Sequence, residues 1–423
     1  MLCANLKVTL LISGFSLIFS QTFRAQNIDL DQSEYITKYT IPFDKRIEDC
    51  STQDFKALDF DDNIRVFGLG EANHGSKEFQ LLKLKLALYL IEEKGLNTII
   101  LEFPYSQGLL LDRYVKGEDE HGLKILTNQE NSVYDNAEFI ELINSIKALN
   151  ENRNEKISFL GSDIFGKPTA IKLLREYFQR VDPSQEKIFT EYQHLEDNTY
   201  MSAFQQDKKE FVVLSRKVRK ILKRNSTDYI KRSSETEFET ATRLTESLGI
   251  KWKGNSRAIS FANNVMETLF ENPSTKILVL AHNKHVGMLD NEIGTLLKKK
   301  LEEQYFSIGT DYEEGTFTLL NLKDSNHKFM DTLYTPTFEN GFANKFAQLP
   351  GEFHYLSLVQ AKNLQYDWTN KKDYIANIGY GFNKYLSAQE FRYPVNLTKF
   401  FDAIFTRRSA EPPRFRCHSC LLE

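Results

Sequence analysis

Two short stretches hold residues that could do chemistry: Gly68-Leu69-Gly70-Glu71-Ala72-Asn73-His74-Gly75 and Ala281-His282-Asn283-Lys284-His285. The chain has eight histidines, and three of them fall here. Each stretch follows an apolar run that reads as a buried strand. A strand that runs into Glu and His, rather than into turn residues alone, marks a polar site at one edge of a sheet. A histidine of near-neutral pKa oriented by a carboxylate is a general base for water. Mixed Glu and His side chains could equally hold a divalent metal that lowers the pKa of bound water, with Glu102, His74 and His282 as its ligands. The spacing leaves both open. No H-E-x-x-H helix, no G-x-S-x-G elbow and no cysteine in a catalytic setting occurs, so a covalent acyl-enzyme is not expected. Gly68-x-Gly70 lacks the third glycine of a dinucleotide fingerprint, which argues against a nucleotide cofactor.

The elements that must position these residues can be read from pattern. Ile64 to Leu69 is a strand. Ser76 caps a helix with Phe79, Leu82, Leu86 and Tyr89 at helical spacing, ended by Lys94-Gly95. Asn97 to Phe103 is the next strand, stopped by Pro104, so the order reads as a βαβ unit of a parallel sheet. Phe139 to Leu149 is an amphipathic helix, and Ile157 to Leu160 is a third strand ending in Gly161-Ser162-Asp163. A helix from Asn255-Ser256 to Asn272-Pro273 leads to a fourth strand, Lys276 to Ala281. Later strands are expected at Tyr305 to Gly309 and Thr316 to Leu320, as a hairpin around Glu313-Glu314-Gly315, and at Ala403 to Phe405. In an open parallel sheet the carboxyl ends of the strands share one side, where ligands bind. Glu71, His74, Glu102, Asp163, His282 and His285 would then converge on one cleft. Each also has a bland reading. Glu71 could cap a helix, Gly-Ser-Asp could be a plain turn, and either of the paired histidines alone could bond to backbone. Glu102 is the hardest to explain away, because a carboxylate at the end of an apolar strand is costly unless paired.

The expected fold is α/β, a mainly parallel sheet flanked by helices. A helical insertion at about 168–251 would cover the cleft at the carboxyl ends of the strands. Within it, Phe211, Leu214, Val218 and Leu222 form an apolar seam under a basic, solvated face. The net charge of -4 argues against a nucleic-acid partner. Residues 1–26 resemble a signal peptide: Lys7 precedes an apolar run from Val8 to Phe19 that is too short to span a bilayer comfortably. An exported protein, periplasmic or extracellular, is expected, with no membrane span after signal removal. Cys50 stands alone. Cys417 and Cys420 could pair in a polar tail, 407–423, expected to be disordered. Oligomeric state is not readable.

The residues resemble the erythromycin esterase family over roughly 35–406, the extent expected for the catalytic domain. Gly68 to Phe79, GLGEANHGSKEF, resembles that family's GLGEATHGTREF. Leu101-Glu102 resembles its second strand end. Arg257, Ala262 and Asn264 resemble its R-D-x-x-M-A-x-N helix, with Ala258 and Phe261 as departures. Ala281 to Val286 matches A-H-N-x-H-V, Tyr305 to Phe317 its late hairpin, and Phe401 to Ile404 its closing strand. The resemblance implies that His74 activates water to attack an ester carbonyl, oriented by Glu71, with Glu102, His282 and Arg257 around that event. It implies that Arg257 or Lys83 stabilises the oxyanion, and that His282, with His285 nearby, donates to the leaving oxygen. Asp163 is a further supporting residue. A carboxylate at 102 keeps a divalent metal open. A small-molecule ester is the implied substrate, and a macrolide lactone is a hypothesis within that class rather than a consequence of the motifs. Two other readings stand beside it: a metal-dependent hydrolase of a glycan ester or peptide, and a non-catalytic periplasmic haem- or metal-binding protein.

Overall fold

The computed structural model describes residues 30–416 apart from 59, 128–132, 197–207, 252, 319, 322–332, 336, 339, 380 and 383–387. The readings of a signal peptide and of a Cys417–Cys420 pair lie outside the described residues. The central sheet has nine strands. They are Thr40–Phe43 (β1), Val66–Glu71 (β2), Thr98–Pro104 (β3), Ser158–Asp163 (β4), Ile277–His282 (β5), Tyr305–Phe317 (β6), Leu333–Thr335 (β7), Phe353–Ser357 (β8) and Ala403–Ala410 (β9). Their order is β1-β8-β9-β6-β2-β5-β3-β4, with β7 paired to β6. The run from β9 to β4 is parallel throughout, while β1, β8 and β7 add antiparallel pairs at its margins.

The helices used below are Gln32–Tyr39 (α1), Lys77–Lys94 (α2), Tyr105–Val115 (α3), Ala137–Glu151 (α4), Lys167–Val181 (α5), Lys209–Arg232 (α6), Glu235–Gly249 (α7), Ser256–Glu271 (α8) and Ile293–Leu301 (α9). β2 and β5 are buried along their whole length because two apolar layers cover the sheet. One contains residues of α2 and α4, including Leu82, Leu86, Phe139 and Ile143. The other contains residues of α8 and α9, including Phe261, Val265, Ile293 and Leu297. α2 ends as its sequence demands, at Gly95 with φ 71°, a left-handed position that glycine takes at no steric cost.

The insertion is helical. α5, α6 and α7, with short helical segments between α5 and α6 among the described residues, share an apolar cluster of their own that includes Phe178, Leu214, Val218 and Leu244. The basic face of α6 is partly tied to neighbours, Lys217 to Glu191 and Arg219 to Glu246. Among the described residues no helix is long and apolar enough to cross a membrane.

Two expectations are corrected. The late hairpin is one continuous strand, β6, of 13 residues. A Cβ at Gly315 would lie 2.4 Å from the Ala410 carbonyl oxygen, so this glycine serves the close approach of β9 rather than a turn. The polar tail expected from 407 onward is ordered as far as 416. Arg407 to Ala410 complete β9, and the chain then crosses the starts of α2 and α4, with Arg414 on Glu138 and Arg416 on Asp135.

Candidate active site

The carboxyl ends of β2, β3, β4 and β5 bring Glu71, Glu102, Asp163 and His282 to one side of the sheet. The glycines of the first stretch make this possible by close approach. A Cβ at Gly70 would lie 2.4 Å from Asn283 Oδ1 and 2.8 Å from its Cα. Asn283 crosses over that glycine. Its Nδ2 donates to the Thr310 carbonyl at 2.7 Å, and its Oδ1 accepts the Thr310 N–H at 3.0 Å. The Asn of the second stretch therefore ties the end of β5 to β6.

His74 lies past the end of β2. Its Nδ1 is 2.6 Å from Glu71 Oε1. The other carboxylate oxygen accepts from Lys83 Nζ at 2.6 Å and from Gln80 Nε2 at 3.2 Å. Glu71, Lys83 and Gln80 are all buried. Burial opposes the Glu71 charge, but Lys83 and His74 outweigh it and hold the carboxyl below its usual range. An ionised Glu71 can only accept, so it fixes His74 with its proton on Nδ1. Nε2 is left with its lone pair and with no hydrogen bond among the described residues. Lys83 spends its ammonium on Glu71 and on Gln80 Oε1 at 3.1 Å. It braces Glu71, and the oxyanion role expected for it does not fit this placement.

A second, charged chain runs beside the first. Arg257 grips Asp163 through Nε at 3.0 Å and Nη2 at 2.6 Å, and the same Nη2 donates to Glu102 Oε1 at 2.6 Å. His285 stands between Glu292 and Glu102, with Nδ1 2.8 Å from Glu292 Oε2 and Nε2 3.2 Å from Glu102 Oε1. Burial disfavours an imidazolium, yet Glu102 and Glu292 overcome it and raise the His285 pKa to about 9. Burial likewise opposes the Glu102 charge, and His285 and Arg257 override it, holding the carboxyl well below its usual range. Two turns along α8 from Arg257, Asn264 donates to the Ser162 carbonyl at 3.0 Å, so one helix face holds the end of β4 at two points.

His282 is placed differently from expectation. Its Nε2 is 3.2 Å from the Ile378 carbonyl and its Nδ1 accepts the Lys284 N–H at 3.3 Å. Both ring nitrogens are thus engaged with backbone. Burial, then His74 and His285, lower its pKa to about 4, so the ring is neutral. Donation to a leaving oxygen is not open to it in this arrangement. Its ring centre lies 5.5 Å from that of His74.

The metal set Glu102, His74 and His282 does not fit an ion here. Glu102 is already bound by a guanidinium, an imidazolium and, through Oε2, the His282 backbone N–H at 2.9 Å. His282 has no free nitrogen. Among the described residues no group of three or more His, Cys, Asp and Glu is arranged to hold a metal. The same lack of a free nitrogen weakens His282 as a haem ligand.

Sequence reasoning missed four participants. Tyr134 donates its hydroxyl to the Glu102 carbonyl at 2.9 Å, and its ring lies 6.5 Å from that of His74. Gln80, Glu292 and the Ile378 carbonyl complete the set. Gln80 could have been found, three residues from Lys83 on a helix face that carries Glu71's partners. The other three stand in segments without periodicity or motif.

A family model described as erythromycin esterase matches residues 91–409. The chain belongs to that family. The matched range takes in Glu102, Asp163, Arg257, His282 and His285, and begins after Glu71 and His74. Erythromycin esterase type II of Escherichia coli is 24% identical over 344 residues, 70% of this chain and 81% of that protein. A putative hydrolase of Bacillus subtilis is 20% identical over 367 residues, 75% of this chain and 79% of that protein. Among solved structures, a succinoglycan biosynthesis protein aligns with a TM-score of 0.73 at 22% identity, covering 92% of this chain and 100% of that one. An erythromycin esterase mutant in its open conformation aligns at 0.64 and 18% identity, covering 88% and 98%. These likenesses are of fold. The erythromycin esterase fold, an α/β sheet flanked by helices, is the one described above.

Proposed function

We propose that this chain hydrolyses carboxylic esters, using His74 to activate water directly, with no acyl-enzyme and no metal in the step. The observation that carries the reading is the buried Glu71–His74 pair, which leaves Nε2 as the free base of the cleft. Membership of the erythromycin esterase family supports the reaction class. Nε2 takes a proton from water as the hydroxide oxygen bonds to the ester carbonyl carbon. The resulting imidazolium is stabilised by ionised Glu71. Arg257 has Nε and Nη2 committed to carboxylates, and its Nη1 lies 3.3 Å from His285 Nε2; as an imidazolium nitrogen that atom cannot accept, so Nη1 keeps its protons for the developing oxyanion. When the carbon–oxygen bond of the leaving group breaks, the proton on Nε2 passes to the alkoxide. His74 thus serves as base and then as acid, and no proton from His282 is needed. Macrocyclic lactones are the first substrates to try, given the E. coli relative's name. Export, suggested by the opening residues, belongs to the same proposal and is checked by locating the protein in cell fractions.

The test is hydrolysis by the purified chain of a panel of lactones and simple esters beside its His74→Asn variant. Turnover that is lost by about 1,000-fold or more in the variant is expected, the scale of removing a base that also acts as acid. A panel on which the two proteins perform alike overturns the reading.

A further inference from the structure

The ordered stretch beyond β9 meets two helices in the same way. α2 begins three residues after His74, and α4 begins three residues after Tyr134. The Glu411 carbonyl accepts the Lys77 N–H at 2.7 Å, and the Glu411 N–H donates to Glu78 Oε2 at 2.9 Å. Three residues on, the Arg414 carbonyl accepts the Ala137 N–H at 2.8 Å, and the Arg414 N–H donates to Glu138 Oε2 at 3.0 Å. In both cases the first helical residue gives its N–H and the second gives a carboxylate. The first N–H groups of a helix have no partner within it, so the strap satisfies donors that would otherwise be orphaned. Glu78 and Glu138 are buried, so each carboxylate needs the donor it receives.

Between the two contact residues stand Pro412 and Pro413, neither with an N–H and both with fixed φ. Such a pair favours an extended, stiff backbone with a rise of about 3.1 Å per residue. From Glu411 to Arg414 that is a spacer of roughly 9 Å. Both its ends are anchored. Ala410 is paired with Gly315 in the sheet, while Arg416 donates its N–H to the Asp135 carbonyl at 3.1 Å and places its side chain on the Asp135 carboxylate.

We infer that Glu411 to Arg414 act as a rigid ruler between the starts of α2 and α4, and that they are positioning residues setting the separation of His74 from Tyr134. The Tyr134 ring contacts Phe103 and Phe139, with centroids at 5.7 and 5.0 Å, and its face lies 6.0 Å from Lys83 Nζ. It therefore shields the Glu71–Lys83 pair that orients the base. A shift of α4 against α2 would open that pair to water and turn the His74 ring. The inference rests on the reading of His74 as the catalytic base.

A ruler is sensitive to length, whereas a mere staple is sensitive to strength. Two variants of the full chain separate these. One inserts a glycine between Pro412 and Pro413, lengthening the spacer. The other, Pro412→Ala/Pro413→Ala, keeps the length and every hydrogen bond but softens it. The expected result is at least a tenfold fall in kcat for the insertion, with KM within twofold and a melting temperature matching that of the alanine pair. For the alanine pair, a two- to threefold fall in kcat is expected. Losses of kcat that simply follow melting temperature in both variants overturn the ruler, as does an insertion with wild-type kcat. Should the wild type hydrolyse no ester, the functional reading fails and the ruler is read separately from the His74 13Cε1 resonance, assigned by its absence in His74→Asn. The ruler then requires that resonance to move in the insertion and not in the alanine pair; an unmoved resonance sinks it.

Discussion

His74, His282 and His285 are chemically one residue type and physically three. His74 has one nitrogen on a carboxylate and one free. His282 has both on backbone. His285 has both on carboxylates. Base, neutral linker and fixed cation follow from those partners. Glu71 is the partner that matters most, since its charge sets the His74 tautomer and stabilises the imidazolium. Glu71→Gln is expected to lower kcat by about 100-fold or more. It also leaves Lys83 buried without its anion, a change that by itself costs about 3–5 kcal/mol. The double variant Glu71→Gln/Lys83→Met separates the effects. Stability in urea should recover while turnover stays low, and a double variant that regains turnover would show Glu71 to be structural. The sequence could reveal Glu71, His74, Glu102 and the later histidines because each breaks the grammar of an apolar strand. It could not reveal Tyr134 or Glu292. Their partners, a backbone carbonyl of β3 and a histidine ring, leave no spacing to read.

At the scale of elements, strands and helices of the core were legible because burial imposes period and turn residues impose ends. β2, β3 and β5 are buried for most or all of their length, and their sequences are accordingly mostly apolar runs up to their last residues. Misreading came where a distant partner overrode a local signal. Glu313-Glu314-Gly315 looks like a turn, but β9, far along the chain, pairs with β6 from Ile308 through Gly315, and β7 pairs with it from Gly315 to Phe317. The strap from 411 to 416 looks like a solvated tail. Its partners are the buried carboxylates of Glu78, Glu138 and Asp135, which nothing in its own composition announces. The glycines of the first stretch carry a prediction at this scale. Gly70→Ala forces a methyl against Asn283 Oδ1 and the Asn283 backbone, at 2.4 and 2.8 Å. A loss of about 1–3 kcal/mol is expected from urea midpoints. Adding Asn283→Ala should relieve only part of it, because the backbone contact remains. Full relief would mean that the side-chain contact alone sets the cost.

For the molecule as a whole, the buried charges of the cleft make stability depend on pH from two directions. His282 has its pKa lowered from 6.5 to about 4, by burial and then by His74 and His285. The unfolded chain therefore takes up a proton that the folded one refuses as pH drops from 6.5 towards 4, and stability falls with it by up to about 3 kcal/mol. The lowered carboxyls of Glu71 and Glu102 act in the same direction at lower pH still, since their contribution is present above the usual carboxylate range and lost as pH falls through their folded values. His285 works the other way. Burial alone would lower it, but Glu102 and Glu292 raise it from 6.5 to about 9. The folded protein keeps a proton that the unfolded chain releases above 6.5, so this contribution is whole below 6.5 and is lost as pH rises through 9, again by about 3 kcal/mol. Together they place the stability maximum near pH 6.5, with a decline on each side. His285→Gln isolates the alkaline limb. Its urea midpoint should lie below wild type at pH 6.5, because Glu102 and Glu292 lose their shared cation, yet change little between pH 6.5 and 9, where the wild-type midpoint drops. A wild-type midpoint that is flat over that interval would mean that His285 is not held as a cation between its two carboxylates. In that case the balance of charge around Glu102 would rest on Arg257 alone.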